Sequence, residues 1–205
     1  MMAAMDYLLT PEQKALKEAI RDFIALEIPS LRSTAAPDGK AVDAFVLKLG
    51  RFLRRREGRP DVEEGVPLSG VETVLVLEEV LKGLPGAGSK PAAGRLFEGL
   101  SLELRSSAAC LGSAQGVLVP CLERAFGRRG LDASGHHHEA LNQGLADILS
   151  AIEAARLMTY RAAILEDEGH PDAEEAAEAK RQAEELASRA ARLAALIEKG
   201  EENET

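Results

Sequence analysis

The chain has 205 residues, 45% hydrophobic and 29% charged, enough for one domain with a sizeable core or two small ones. No apolar run reaches the roughly 18 residues of a membrane span, the start MMAAMDYLL lacks the basic segment of a secretory leader, and two cysteines cannot build a disulfide framework. The net charge of −9 is concentrated at one end: from Glu166 onward 13 acids accompany 5 bases, against 21 acids and 20 bases before it.

An acidic chain of this kind excludes non-specific nucleic-acid binding, which needs a positive field. The acidic stretch reads as a solvated face. These features together predict a cytoplasmic setting.

In chain order, Thr10-Pro11-Glu12-Gln13 places a hydroxyl cap, a proline at the first helical position and a glutamine two residues later. Leu16, Ile20, Phe23 and Ile24 follow at helical spacing, and Pro29 is expected to end the helix. A loop with Pro37, Asp38 and Gly39 leads to a second helix carrying Val42, Phe45, Val46, Leu49, Phe52 and Leu53 as one apolar stripe. Gly58, Pro60, Gly65 and Pro67 mark the next connection. Ser69 and Glu72 repeat the capping arrangement and open a third helix to Gly83. Its TVLVL run has strand propensity, but the caps and the following EEVLKG select helix.

Residues 84–94, rich in glycine, proline and alanine, form the clearest breakpoint in the chain. A helix is predicted from about Arg95 to Phe126, kinked or broken at Pro120. Another runs from about His137 to Glu168, with Leu141, Leu145, Ile148 and Ile152 on one side. Gly169, Pro171 and the cap pair Asp172 and Glu175 begin the last helix, expected to end near Gly200. No segment alternates with period two. The fold class is all-α, an antiparallel helical bundle, with helical regions at 1–83 and 95–200, a linker at 84–94 and a flexible tail at 201–205.

In the last helix Ala176, Ala179, Ala183, Leu186, Ala190, Leu193 and Ile197 recur three and four apart. Such a seam is stable only when another helix covers it. The cover is either the chain's own bundle or a partner subunit, so Leu186, Ala190, Leu193 and Ile197 are candidate interface residues. Other motifs carry little chemistry. His136, His137 and His138 are adjacent on a loop and do not have the i, i+4 spacing of a helical metal pair; no metal site is expected. Gly86 and Gly88 lack the spacing of a phosphate loop. Cys110 and Cys121 are about 16 Å apart along a straight helix, too far for a disulfide. Arg51, Arg54, Arg55, Arg56 and Arg59 suit a helix C-terminus and also the phosphates of a ligand.

Three stretches resemble one family. MDYLLTPEQKALKEAIRDFIALEI is similar to the opening helix of acyl-CoA dehydrogenases. DAFVLKLGRFL, EEG and VLVLEEV resemble the second helix, loop and following helix of their N-terminal α-domain. ALNQGLADILSAIEAARLMTYRAAILEDEGHPDAEEAAEAK resembles their C-terminal bundle almost position for position. The resemblance implies the family's two α-domains joined without the middle β-domain and without the final C-terminal helices, over about half of the family's usual length.

The same resemblance supplies the candidate site. Glu103, in GLSLELRSSAACLGSAQG, matches the proton-abstracting glutamate of one subclass when counted from Gly99. Counted from Gly112 and Gln115, that position falls on Leu102. Arg124 and Phe126, in LERAFGRRG, resemble the arginine and phenylalanine with which the family holds the flavin pyrophosphate. Here Arg124 stands one place late, Glu123 takes the arginine's position and Glu139 replaces a glutamine, so two carboxylates would repel a diphosphate. The flavin site is degenerate.

These readings imply a helical protein without dehydrogenase activity of its own, associating with itself or with a full-length acyl-CoA dehydrogenase. No cofactor is expected for the isolated chain. A second reading is an enzyme subunit whose partner completes a site for FAD and acyl-CoA. A third is a bundle that binds acyl-CoA or lipid through its interior and the arginine cluster.

Overall fold

A computed structural model describes residues 9–32, 39–56, 68–83, 99–127 and 136–202. Among these residues six helices and no strands are found: α1 (Pro11–Arg32), α2 (Gly39–Arg56), α3 (Gly70–Gly83), α4 (Leu102–Gly127), α5 (His136–Asp167) and α6 (Ala173–Glu202). The fold is all-α. The linker at 84–94 lies outside the described residues.

The caps read from the sequence form as expected. The Thr10 amide donates to Gln13 Oε1 at 3.0 Å and the Gln13 amide to Thr10 Oγ1 at 3.3 Å. Ser69 and Glu72 exchange the same pair of bonds at the start of α3, at 2.9 and 3.2 Å. Asp172 Oδ1 accepts from the amides of Glu174 and Glu175, both at 3.0 Å. Each cap satisfies amides that have no partner inside the helix. Between α5 and α6 the His170 amide reaches back to the Leu165 carbonyl and the Gly169 amide to that of Glu166. Gly169 has φ of 76°, the left-handed conformation this helix stop requires.

Three expectations need correction. The first helix continues to Arg32, past Pro29, because a proline in the last turn removes only one helical bond. Helix α4 runs unbroken through Pro120; Leu118, buried, and Leu122, partly buried, anchor the turns on either side of it in a core. The last helix, expected to end near Gly200, reaches Glu202.

The central element is α3. Every residue from Thr73 to Leu81 is buried, the property of a helix surrounded by protein. This explains the strand-like TVLVL run: its β-branched residues lower helix propensity by tenths of a kcal/mol, while each buried large aliphatic side chain contributes about 1.5–3 kcal/mol. Helix α3 packs against α1, α4 and α5. One core joins it to Leu16 and Ile20 of α1, Phe45 and Leu49 of α2, Leu104 of α4 and Ala163 of α5. A second core joins Leu111 and Leu118 of α4, Ile148 and Ile152 of α5, and the inner face of α6.

Two glycines have opposite roles. At Gly112 of α4 an added Cβ would collide with the Glu78 carbonyl and lie 3.0 Å from Leu81 Cβ, so the absence of a side chain lets α3 and α4 cross closely. At Gly144 of α5 the nearest atom is Leu193 Cδ1 at 4.0 Å, an ordinary contact. Gly112→Ala is expected to destabilise by about 1–3 kcal/mol through overpacking. Gly144→Ala is expected to stabilise by about 0.5–1 kcal/mol through helix propensity. Urea denaturation of the two variants checks both signs.

Candidate functional site

Two glutamates stand in the apolar sequence of α3. Glu78 is 1% exposed and Glu79 4%. An ionised carboxylate in such a place must be paired and hydrogen-bonded. Glu78 Oε1 accepts from Arg156 Nε at 2.8 Å, from Arg156 Nη2, and from Gln115 Nε2 at 2.5 Å. The Tyr160 hydroxyl donates to Glu78 Oε2 at 3.3 Å. Arg156 is itself buried, and its Nη1 donates to Glu153 Oε1 at 2.5 Å. Buried Lys17 of α1 adds its charge to the field on Glu78. Glu79 is bonded to Arg21 of α1 at 2.9 Å and lies 3.8 Å from Lys82. This cluster therefore joins α1, α3, α4 and α5.

Helix α5 holds α3 at both ends. Arg156, Tyr160, Ala163 and Asp167 are spaced four, three and four apart, one side of a helix. Arg156 and Tyr160 engage Glu78 near the C-terminus of α3. Eleven residues on, Asp167 accepts from the amides of Gly70 at 2.5 Å and Val71 at 3.2 Å at the α3 N-terminus. A carboxylate there satisfies free amides and meets the positive end of the helix dipole. Gly70 leaves room for it: a Cβ would lie 3.0 Å from Asp167 Oδ1 and 3.2 Å from the Ala163 carbonyl. Glu166 accepts in the same way from the Ser101 amide ahead of α4, at 2.9 Å.

Burial pushes the Glu78 carboxyl up, but the charge of Arg156, the bonds from Arg156 and Gln115, and the charge of Lys17 outweigh it, leaving it below its ordinary value of 4.5. Burial and the charge of Glu78 hold the Tyr160 hydroxyl well above its ordinary 10.0. Arg156 is held more firmly protonated than usual: burial opposes this, and the charge and bonds of Glu78 exceed the effect. A second buried polar contact pins α4, α5 and α6 together. The hydroxyls of Ser107 and Thr159 are 2.7 Å apart, and Ser107 Oγ also bonds the Ala179 carbonyl at 3.2 Å.

The residues singled out in the sequence lie elsewhere. Glu103 is in the first turn of α4 and partly exposed, beside Leu102 at 60% exposure. Arg124 and Phe126 belong to α4, but their side chains lie outside the described residues, as do those of His136, His137 and His138 at the start of α5. Leu186, Ala190 and Ile197 are buried and Leu193 is partly buried in the second core of the chain itself. The seam is covered within the chain by α4 and α5. Cys110 is partly buried, and burial together with the charge of Glu184 pushes its thiol up.

Sequence reasoning missed the Glu78–Arg156 cluster. Its trace was present in two adjacent acids inside an apolar helix, a pattern that demands buried cations.

Residues 103–198 match the family described as acyl-CoA dehydrogenase, C-terminal domain. The short/branched chain specific acyl-CoA dehydrogenase of Bos taurus, a mitochondrial protein, is 36% identical over 140 residues, 63% of this chain and 31% of that one. The chain belongs to the acyl-CoA dehydrogenase family. The mitochondrial short-chain specific acyl-CoA dehydrogenases of Bos taurus and Homo sapiens are 31% and 30% identical over 153 and 157 residues. Those alignments cover 73% and 75% of this chain and 36% and 37% of the relatives. The chain thus spans about a third of the length of the curated relatives it matches. No solved structure matches it.

The family implies a flavin; the residues that the resemblance assigns to it, Arg124 and Phe126, have side chains outside the described residues. Glu78, Gln115, Arg156 and Tyr160 are bonded to one another, and Ser107 to Thr159. Glu103 stands on a partly exposed helix face.

Glu78→Gln leaves buried Arg156 with only partly exposed Glu153 as charge partner and is expected to cost about 3–5 kcal/mol; Glu78→Leu with Arg156→Met should recover part of that loss. Chemical denaturation of the single and double variants checks this. Because the folded-state value of Glu78 is depressed, its contribution is present above pH 4.5 and lost as pH falls through the lowered value. Because the value of Tyr160 is raised, its contribution is present below pH 10.0 and lost as pH rises beyond it. Stability measured against pH should fall on both sides of this window, and the acid fall should shrink in the double variant.

Proposed function

We propose that this member of the acyl-CoA dehydrogenase family is a helical association or accessory subunit without dehydrogenase activity of its own. The observation that carries this reading is internal to the chain. Residues 84–101, eighteen in all, connect the end of α3 to the start of α4, where the family resemblance implies a whole β-domain. That domain is the one from which the family takes many of its flavin contacts. Without it a flavin ring or acyl chain on these helices would be open to solvent on one side, and such ligands depend on burial.

The self-satisfied polar cluster supports the same reading. The family resemblance puts catalysis on Glu103 and flavin binding on Arg124 and Phe126, whereas among the described residues Arg156 and Tyr160 are held well above their ordinary values and Glu78 below its own. Perturbed groups mark functional sites when they face a cleft and mark structural pairs when they face each other. These face each other. The proposed partner is a second copy or a full-length acyl-CoA dehydrogenase, the activity that the relatives' names carry.

Purified chain mixed with FAD and passed through gel filtration is expected to elute colourless and to leave a short-chain acyl-CoA unoxidised. Glu103→Gln should alter neither result. A retained flavin band with acyl-CoA turnover by the isolated chain would overturn the proposal. Flavin retained only after co-expression with a full-length dehydrogenase, and lost with Arg124→Ala, would replace it with the shared-site enzyme.

A further inference from the structure

The outer side of α2 carries chemistry that neither the core nor the proposed role uses. Between Ala44 and Arg56 there are five cations and no acid, in a chain whose net charge is −9. Lys48 is bonded to Glu27 of α1 at 2.6 Å. Among the described residues Arg51, Arg54, Arg55 and Arg56 form no ion pair. Leu47, Arg51, Arg54 and Arg55 follow each other at i, i+4, i+7 and i+8, a single stripe of the helix. Arg51 and Arg55 are exposed and Arg54 half-buried.

Two leucines stand on the same edge. Leu26 of α1 is 80% exposed and Leu47 of α2 is 62% exposed. They adjoin, respectively, Glu27 and Lys48, the two ends of one ion pair. An exposed leucine by itself means little, and the stripe of Leu26 carries the exposed acids Asp22 and Glu18 four and eight residues before it; Leu47, in line with three unpaired arginines, has the composition that enters an anionic lipid interface, with leucine inserted and guanidinium groups held at headgroup level.

We propose that this edge of α1 and α2 is a docking surface for an anionic lipid membrane. Residues 166–178 hold seven acids and no lysine or arginine, so an anionic surface attracts α2 and repels that stretch. The chain lies on the membrane, since no helix among the described residues is long and apolar enough to cross one. A nucleic acid would engage the arginines and leave the leucines in water.

Co-sedimentation of the full chain with phosphatidylcholine vesicles, with and without phosphatidylserine, tests this. Binding is expected only to the vesicles with phosphatidylserine and should weaken as salt rises. Each arginine near an anionic surface is worth about a fivefold change, so Arg51→Gln with Arg54→Gln and Arg55→Gln should weaken binding about 100-fold. Arg51→Gln with Arg55→Gln, confined to exposed positions, should keep the wild-type melting temperature and lose about 25-fold. Leu26→Ser with Leu47→Ser should weaken it several-fold at unchanged charge. No binding, equal binding to neutral vesicles, or binding indifferent to the leucines would overturn the proposal. So would full competition by inorganic diphosphate, which would reassign the arginines to a soluble phosphate compound, or by an acidic peptide, which would reassign them to a protein.

Discussion

The described structure depends on one buried ion pair, Glu78 of α3 with Arg156 of α5. A carboxylate at 1% exposure is tolerated only because its lone pairs are filled by Arg156, Gln115 and Tyr160 from two other helices. A pair of this kind adds little net stability over an apolar replacement, but it is strict about geometry: removing one member strands the other. Helix α3 can therefore occupy its central place only when α4 and α5 are already in register around it. Asp167 repeats the constraint at the other end of α3, and Gly70 and Gly112 clear the space that both contacts need.

Much of the architecture was legible before any coordinates. The capping residues Thr10, Ser69 and Asp172 form the bonds their spacing implies, because a cap is a local matter decided by a few residues. Helix α3 was harder, since its β-branched run fits a strand as well as a buried helix, and only the flanking caps decide. Pro29 and Pro120 were overweighted as breakers. The one bond a proline removes is outweighed where, as around Pro120, the neighbouring turns are held by a core.

The site was less legible than the fold. Glu103 drew attention through family likeness and sits on a partly exposed face, whereas Glu78 and Arg156 are 78 residues apart in sequence and meet only through tertiary packing. The seam of Leu186, Ala190, Leu193 and Ile197 shows the same gap between pattern and use. A period of three and four says that a helix must be covered, not by what; here α4 and α5 of the same chain cover it. Outside the core α6 exposes Leu196 among polar residues, and α2 exposes Leu47 among arginines, the face on which the proposed membrane surface rests.

If α3 is held as described, the helices before and after residues 84–98 form one cooperative unit and not two regions that open separately. Native-state hydrogen exchange in increasing urea measures this directly. The account predicts that amides of Val74 to Leu81 exchange at the same opening free energy as those of Leu111 to Leu118 and Ile152 to Tyr160, converging on the global value. Exchange of the α3 amides at a distinctly lower free energy, with α4 and α5 still protected, would contradict it.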